Sequence, residues 1–176
     1  MKQTLLAASL IMACSAAEAV SLGATAGDSN LFYGGGLGLG LGNDYSFVEV
    51  APMVGVHLTP KVSTGVSVMY RHTTDKRGAV EYDADDYGAT LFGRYRLTRG
   101  FFLEADLEHL NYERFFTDGS SERTDFNSVL AGAGYSAPLS RNASFILTVL
   151  YNFNYDDDDS PYSDPVSIRA GFGIGF

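Results

Sequence analysis

The sequence predicts an all-β fold, an eight-stranded antiparallel up-and-down transmembrane β-barrel, on the basis of three observations. Apolar residues alternate with small or polar ones through eight segments of the chain, and this period of two is typical of strands. A strand of about twelve residues, rising ~3.3 Å per residue and tilted near 45°, spans roughly 28 Å, the thickness of a bilayer's hydrocarbon core. Tight and long connections also alternate along the chain, as in barrels with short turns at one end and long loops at the other.

The eight segments follow one another from residue 31 to residue 176. The last shows the alternation most clearly, because Val166, Ile168 and Phe172 fall on one face while Ser167 and Arg169 fall on the other. A soluble sandwich would also alternate, but its strands usually have about 5–6 residues, whereas these have about twelve. We therefore expect strands near 31–42, 45–58, 62–73, 86–97, 101–114, 126–138, 144–155 and 165–176.

The connections between the segments fall into two classes. Three are tight, at 59–61, 98–100 and 140–143. Three are long and polar, at 74–85, 115–125 and 156–164. An even number of strands also lets the first and last strands pair antiparallel, so that the barrel leaves no strand edge unsatisfied in lipid.

Residues 1–19 have the layout of a secretory signal peptide. Lys2 supplies a positive charge, Leu5–Ala13 are mostly apolar, and Ala17-Glu18-Ala19 is a small-x-small cleavage site. We expect a mature chain from Val20, with an N-terminal stretch at 20–30 and a barrel domain at 31–176. The alternative is a lipoprotein, since the four residues ending at Cys14 resemble a lipobox. After this segment no run of 18 or more apolar residues occurs, which excludes a transmembrane helix.

Composition excludes other classes of protein. With 12 Lys and Arg against 21 Asp and Glu, the net charge is −9, whereas a nucleic-acid binder needs a basic surface. The single cysteine, Cys14, excludes an intrachain disulfide and a multi-cysteine metal site. No glycine-rich phosphate-binding loop of a cofactor site is present. The glycine-rich run near residue 35 has the alternation of a strand and does not precede a helix.

Charged residues on the inward face of the strands predict a filled interior. If the apolar face of each strand meets lipid, the opposite face points into the barrel and carries four acidic and four basic residues. Eight strands enclose only enough space for side chains, so we expect these charges to be paired. The predicted lumen charge network comprises Glu49, Arg71, Arg94, Arg96, Glu104, Asp106, Glu108 and Arg169.

Catalysis is the alternative role for three of these acids. Alternate residues on one strand face lie ~6.6–7 Å apart, close to the carboxylate separation of an inverting glycosidase. A filled lumen has no space for a sugar, and nearby arginines keep the carboxylates ionised. The histidines His57, His72 and His109 are scattered along the chain and form no recognisable catalytic motif. We therefore predict no catalytic residues and no bound metal.

Acidic residues concentrate in the long connections, above all in one run. Asp156-Asp157-Asp158-Asp159 is a possible cation-binding loop, because carboxylates suit Ca²⁺ and Mg²⁺. The run lacks the spaced pattern of a calcium loop, so a solvated acidic loop is the simpler interpretation. A protein-binding surface is a third possibility, for which aromatic residues in the long connections would serve as anchors: Tyr82, Phe115, Phe116 and Tyr162.

The C-terminal strand, ending Phe172-Gly173-Ile174-Gly175-Phe176, resembles that of the small eight-stranded outer-membrane barrels of the OmpA and OmpX type. The segments 92–97 and 102–108 are similar to those of uncharacterised members of that class. The resemblance implies that Phe172, Ile174 and Phe176 form the signal read by the barrel-assembly machinery. It also implies a Gram-negative outer membrane, with lipid and lipopolysaccharide as surroundings, and it brings no known activity.

Three functions remain open on the sequence. The first is a non-enzymatic, membrane-anchored barrel whose acidic surface loops maintain the envelope or bind a protein partner. The second is a narrow, porin-like pore for ions or small solutes. The third is an enzyme that modifies envelope lipid.

Overall fold

A computed structural model of the chain describes residues 30–40, 45–75, 82–115, 120–156, 160–162 and 164–175. They form eight strands: β1 (Leu31–Gly40), β2 (Tyr45–His57), β3 (Val62–Asp75), β4 (Tyr82–Arg96), β5 (Phe101–Phe115), β6 (Ser121–Pro138), β7 (Ala143–Asn152) and β8 (Val166–Ile174). Each pairs antiparallel with the next, and β8 pairs with β1 to close the barrel. The predicted fold class is therefore confirmed. Within the described ranges, no helix is long and apolar enough to cross a membrane.

The two faces of the barrel wall have opposite chemistry. Large apolar side chains point outward, and Leu37, Leu107 and Ile168 expose 61%, 56% and 62% of their surface. Buried polar groups, including Ser128, Thr148 and carboxylates of β5, point inward. A soluble protein has the reverse arrangement, so the outer surface suits a lipid environment.

Three turns at one end of the barrel are built alike. Thr59, Thr98 and Ser140 each use the side-chain hydroxyl to accept a hydrogen bond from a backbone N–H three residues later, at 2.9, 3.1 and 3.1 Å. This hydroxyl-to-backbone bond is the local interaction that favours Ser and Thr in turns. The turns join β2 to β3, β4 to β5 and β6 to β7, as the tight connections of the sequence predict.

Four strands are longer at the opposite end than the sequence predicts. β4 begins at Tyr82 and β6 at Ser121, four and five residues before the expected positions 86 and 126. The additional strand residues form polar hydrogen bonds across the ladder. These include the bond between Thr74 and Asp83 at 2.8 Å and the bond between Asn111 and Asp125 at 2.7 Å. Such pairs stabilise strands without apolar alternation. We call the loop-side ends of these four strands, residues 70–75, 82–87, 109–115 and 121–127, the loop-side wall.

Among the described residues, the junction between β1 and β8 is the shortest in the barrel. Its ladder contains four residue pairs, from Tyr33 opposite Ile174 to Gly36 opposite Gly171. Glycine is needed here, because a Cβ on Gly171 would lie 2.5 Å from the carbonyl oxygen of Gly35. Beyond Gly36, the described residues of β1 pair with β2 alone.

Candidate functional site

Three arginines organise the charges inside the barrel. Arg71 Nη2 and Nε donate to Glu49 Oε2 at 2.6 and 2.9 Å, across the β2–β3 ladder. Arg94 hydrogen-bonds to Glu104, its partner across the β4–β5 ladder. Register therefore places each of these pairs within one hairpin.

Arg169 makes the contact that crosses the lumen. From β8 it reaches β5, where Nη1 donates to Asp106 Oδ2 at 3.0 Å and Nη2 to Glu108 Oε2 at 2.7 Å. These carboxylates are nearly inaccessible, since Asp106 and Glu108 expose 3% and 7% of their surface. Burial of a charge is tolerated when it is paired and hydrogen-bonded. Seven of the eight predicted network residues thus lie in three ion-paired groups.

The eighth residue, Arg96, is placed differently. It has the predicted inward register on β4, but it is exposed and lines the opening at the turn end. In the described part of the chain it forms no salt bridge. Alternation predicts that Arg96 faces inward, but it does not predict how close Arg96 lies to the turn-side opening of the barrel.

On the turn side of the charges lies an aromatic layer that was not predicted from the sequence. The Arg94 guanidinium lies over the rings of Phe92 and Phe102, 4.6 and 5.1 Å from their centroids. Phe32, fully buried, packs against Phe92 and against the imidazole of His57, with centroid distances of 6.2 and 4.8 Å. The signal was available, because the alternation that turns Arg94 and Glu104 inward also turns their neighbours Phe92 and Phe102 inward.

The aromatic layer separates two cavities. The loop-side cavity, of about 300 Å³, contacts the ion-paired groups of β2, β3, β5 and β8. The turn-side cavity, of about 440 Å³, contacts His57, Lys61, Arg96 and Phe102. Arg94 lines both. One side-chain layer therefore divides the interior of the barrel.

Tyr162 comes from the β7–β8 connection and enters the lumen. Its hydroxyl donates a hydrogen bond to Glu108, and its backbone N–H donates to Ser160 Oγ at 3.2 Å. Burial, and then the Glu108 carboxylate, raise the pKa of the Tyr162 phenol. The sequence suggested Tyr162 as an anchor on a protein-binding surface; instead it lines the loop-side cavity.

The remaining predicted residues fall partly outside the described ranges. Phe172 and Ile174 lie on the outer face, where the Phe172 ring packs edge-on against Phe145 at 5.6 Å. Residues 1–29, Asp157, Asp158, Asp159 and Phe176 lie outside the described residues. Asp156 is exposed, and its carbonyl accepts a bond from the Ser160 N–H at 3.0 Å. Among the described residues, no group of three or more side chains is arranged to hold a metal ion.

The three histidines lie far apart and contact different groups. His57 Nε2 lies 3.2 Å from the carbonyl oxygen of Gly175 at the turn end. His72 Nδ1 lies 2.8 Å from Asp85, which also accepts a bond from Tyr70. His109 Nδ1 lies 2.9 Å from Asn127 Oδ1. These contacts place His72 and His109 in the outer surface of the loop-side wall.

Comparison with known proteins supports the architecture. The sequence matches no family model, and it matches no curated protein. The structure is similar to the crystal structure of the N-terminal β-barrel domain of Pseudomonas aeruginosa OprF, with a TM-score of 0.50 and 18% sequence identity. The match covers 84% of this chain and 97% of that domain. The chain therefore has the fold of the small eight-stranded outer-membrane barrels, the class that its C-terminal strand resembles.

Proposed function

We propose that the chain is a non-enzymatic outer-membrane barrel that holds a partner-binding surface above the membrane. The observation that carries this proposal is the loop-side wall, in which four strands continue beyond the charged lumen. A protein that only anchored itself in lipid would need no such extension. The wall and the acidic connections that adjoin it in the sequence form the end of the barrel at which we expect a partner to bind.

Hydrogen bonds make the wall a preformed surface. Arg123 Nη1 donates to Asn111 Oδ1 at 2.7 Å, and its Nη2 donates to the Asp85 carbonyl at 3.0 Å. The same guanidinium lies 5.8 Å from the ring centroid of Tyr87, which packs against Tyr70 at 5.5 Å. Tyrosine and arginine are the residues that most often carry binding energy at protein interfaces. A rigid surface also loses little conformational entropy on association.

The test is to shorten the surface while keeping the barrel. Variants trimmed at 76–84, 116–124 and 156–159, the last of which spares the lumen residue Tyr162, are expected to fold and to lose captured envelope or surface proteins. A matched control replaces Lys61, Arg99 and Arg141, at the turn end, by Ser and is expected to keep the capture. Folding is checked by the gel-mobility shift between unheated and boiled samples. Capture that survives all three trims rules out the loop-side surface as the binding site.

A narrow pore is the second candidate, and the two cavities favour it. They lie on opposite sides of the aromatic layer, and Arg94 in that layer lines both. Single-channel recording of the refolded chain from Val20 in a planar bilayer tests this function. A steady conductance supports the pore, whereas silence from a folded sample supports an anchor with a closed lumen.

A further inference from the structure

The turn-side cavity is lined by cations and lacks an acid. Lys61, Arg96 and Arg99 contact it. Arg94 contacts it too, but its charge is already paired with Glu104. Among the described residues, no aspartate or glutamate lines this cavity, and its other three cations form no salt bridge. A concave site lined by one sign of charge concentrates counter-ions, so the turn end of the barrel favours an anion.

The strand ladder holds two of these cations opposite each other. The Arg96 N–H donates to the Lys61 carbonyl at 2.8 Å, which continues the β3–β4 ladder by one pair. Ser63 and Arg94 form an inward-facing pair two residues further along the same ladder. Because side chains alternate between faces, Lys61 and Arg96 share that inward face. Like charges directly opposite on neighbouring strands destabilise a sheet, so an anion bound between them removes a cost.

Two serines in the cavity wall provide further hydrogen-bond donors. Ser63 and Ser144 line the cavity and expose only 8% and 7% of their surface. Among the described residues, neither hydroxyl has a hydrogen-bond partner. Buried polar groups in proteins are nearly always hydrogen-bonded. A ligand that accepts from these hydroxyls therefore gains binding free energy.

This set of donors matches a phosphate monoester. The group carries about two negative charges at neutral pH and has three strong acceptor oxygens. Those oxygens can accept from guanidinium, ammonium and hydroxyl donors together, whereas a carboxylate has only two oxygens and a single charge. The cavity volume of about 440 Å³ lies within the range of small-molecule sites. It leaves room for the esterified group beside Pro60, Phe102 and Pro138.

We propose that the turn-side cavity binds a phosphate monoester, with Lys61, Arg96 and Arg99 paired to its oxygens. Two sources of this group fit the position. A water-soluble ester enters through the exposed turn end. A phospholipid head group enters past Phe101, which borders the cavity although it faces outward and exposes 56% of its surface. The site lies at the opposite end of the barrel from the loop-side wall and does not depend on partner binding there.

Solution NMR of the refolded chain in uncharged maltoside micelles tests the proposal, with glycerol 3-phosphate as the probe. Saturable shifts are expected at the amides of Arg96, Gly100 and Ser136. Glycerol, which lacks the charge, is expected to give none, and acetate is expected to bind at least about tenfold more weakly. Short-chain phosphatidic acid distinguishes the two sources. Binding at least about tenfold tighter than that of glycerol 3-phosphate indicates a lipid head group, and any smaller difference indicates a water-soluble ester.

Matched arginine variants locate the site. Arg96→Gln is expected to weaken glycerol 3-phosphate binding at least about tenfold, because charge-assisted hydrogen bonds are lost. Arg141→Gln is the control, since Arg141 is an exposed turn-end arginine that does not line the cavity. We expect it to change the affinity by less than about twofold, because solvent and salt screen its charge. Lys61→Gln, in an exposed turn, replaces Arg96→Gln if that variant does not fold, and the same loss is expected.

Stability provides a second measurement. Glycerol 3-phosphate at a concentration that saturates the parent is expected to raise the urea midpoint of the parent and of Arg141→Gln more than that of Arg96→Gln, because a ligand stabilises only the fold that binds it. The proposal is overturned by unsaturable shifts, by equal affinity for acetate, or by equal losses in Arg96→Gln and Arg141→Gln. Full binding by the folded Arg96→Gln or Lys61→Gln variant also overturns it.

Discussion

Replacing Arg94 by Met is expected to destabilise the barrel by about 3–5 kcal/mol, because Glu104 is left buried without its cation. The two side chains expose only 10% and 5% of their surface, so water cannot take over the lost interaction. The guanidinium also lies over two phenylalanine rings, a contact worth roughly 0.5–2 kcal/mol depending on desolvation. Methionine keeps part of the packing between those rings, so the change tests the charge more than the volume.

The double variant Arg94→Met with Glu104→Leu separates charge pairing from packing. It removes both ions, and replacing a buried ion pair by apolar side chains is often neutral or stabilising. We expect the double variant to lie within about 1 kcal/mol of the parent, far from the sum of the single changes. A coupling of this sign is the signature of a desolvated pair in a double-mutant cycle.

Urea-induced unfolding of the refolded barrel in micelles, followed by circular dichroism, measures these free energies. Arg123→Met is the control, since that side chain is 41% exposed on the loop-side wall and we expect at most about 1 kcal/mol for its surface ion pair. The reasoning is refuted if Arg94→Met costs under about 1 kcal/mol. It is also refuted if the double variant is as unstable as the two single changes added together.

Three further outcomes are expected. Tyr162→Phe should lower the unfolding free energy by roughly 1.5–3 kcal/mol at neutral pH, because a hydrogen bond to a carboxylate is lost. Since the pKa of Tyr162 is raised on folding, its contribution is complete below its unfolded pKa of about 10 and decreases as pH rises above it; urea midpoints of parent and Tyr162→Phe that fall equally with alkaline pH would contradict this. Gly132→Ala should fold poorly, because its Cβ would lie 2.0 Å from the Val149 carbonyl oxygen, whereas a Cβ on Gly93 would lie 4.0 Å from the Ala105 carbonyl oxygen; equal refolding yields for Gly132→Ala and Gly93→Ala would show that the wall relaxes freely. Phe102→Ala should join the two cavities and raise single-channel conductance, while Leu103→Ala, on the outer face, should not; identical traces would show that the aromatic layer is not the barrier.

The sequence predicted the parts of the fold that depend on alternation. β8 alternates apolar residues with small or polar ones, and β7 does so except at Ile146 and Leu150; the structure places their faces as expected, with Thr148 buried and Val149 exposed. Inward positions for Glu49, Arg71 and Arg169 followed from the same rule. Alternation is sufficient here because lipid and lumen impose opposite chemistry on adjacent residues.

Features that depend on pairing between distant segments were not predicted from the sequence. The ends of β4 and β6 are polar on both faces and resemble loops, yet cross-strand hydrogen bonds hold them in the ladder. Tyr162 lies in a polar connection, and no local pattern shows that this connection turns back toward Glu108. The length of the β1–β8 junction, four residue pairs, depends on how the barrel closes. The pattern within one strand does not predict it.

The placement of the ion pairs also has a consequence for the order of assembly. The hairpins β2–β3 and β4–β5 each carry an acid and its arginine, namely Glu49 with Arg71 and Glu104 with Arg94, so these two acids are compensated as soon as their hairpin forms. Asp106 and Glu108, also on β5, have no cation within their hairpin and are paired with Arg169 of β8, the strand that closes the barrel against β1. Until β8 arrives, the growing sheet holds two uncompensated anions. The pairing of β8 that closes the barrel therefore also neutralises Asp106 and Glu108. A partly assembled sheet without β8 would be unfavourable in lipid, because these two carboxylates would lack their cation.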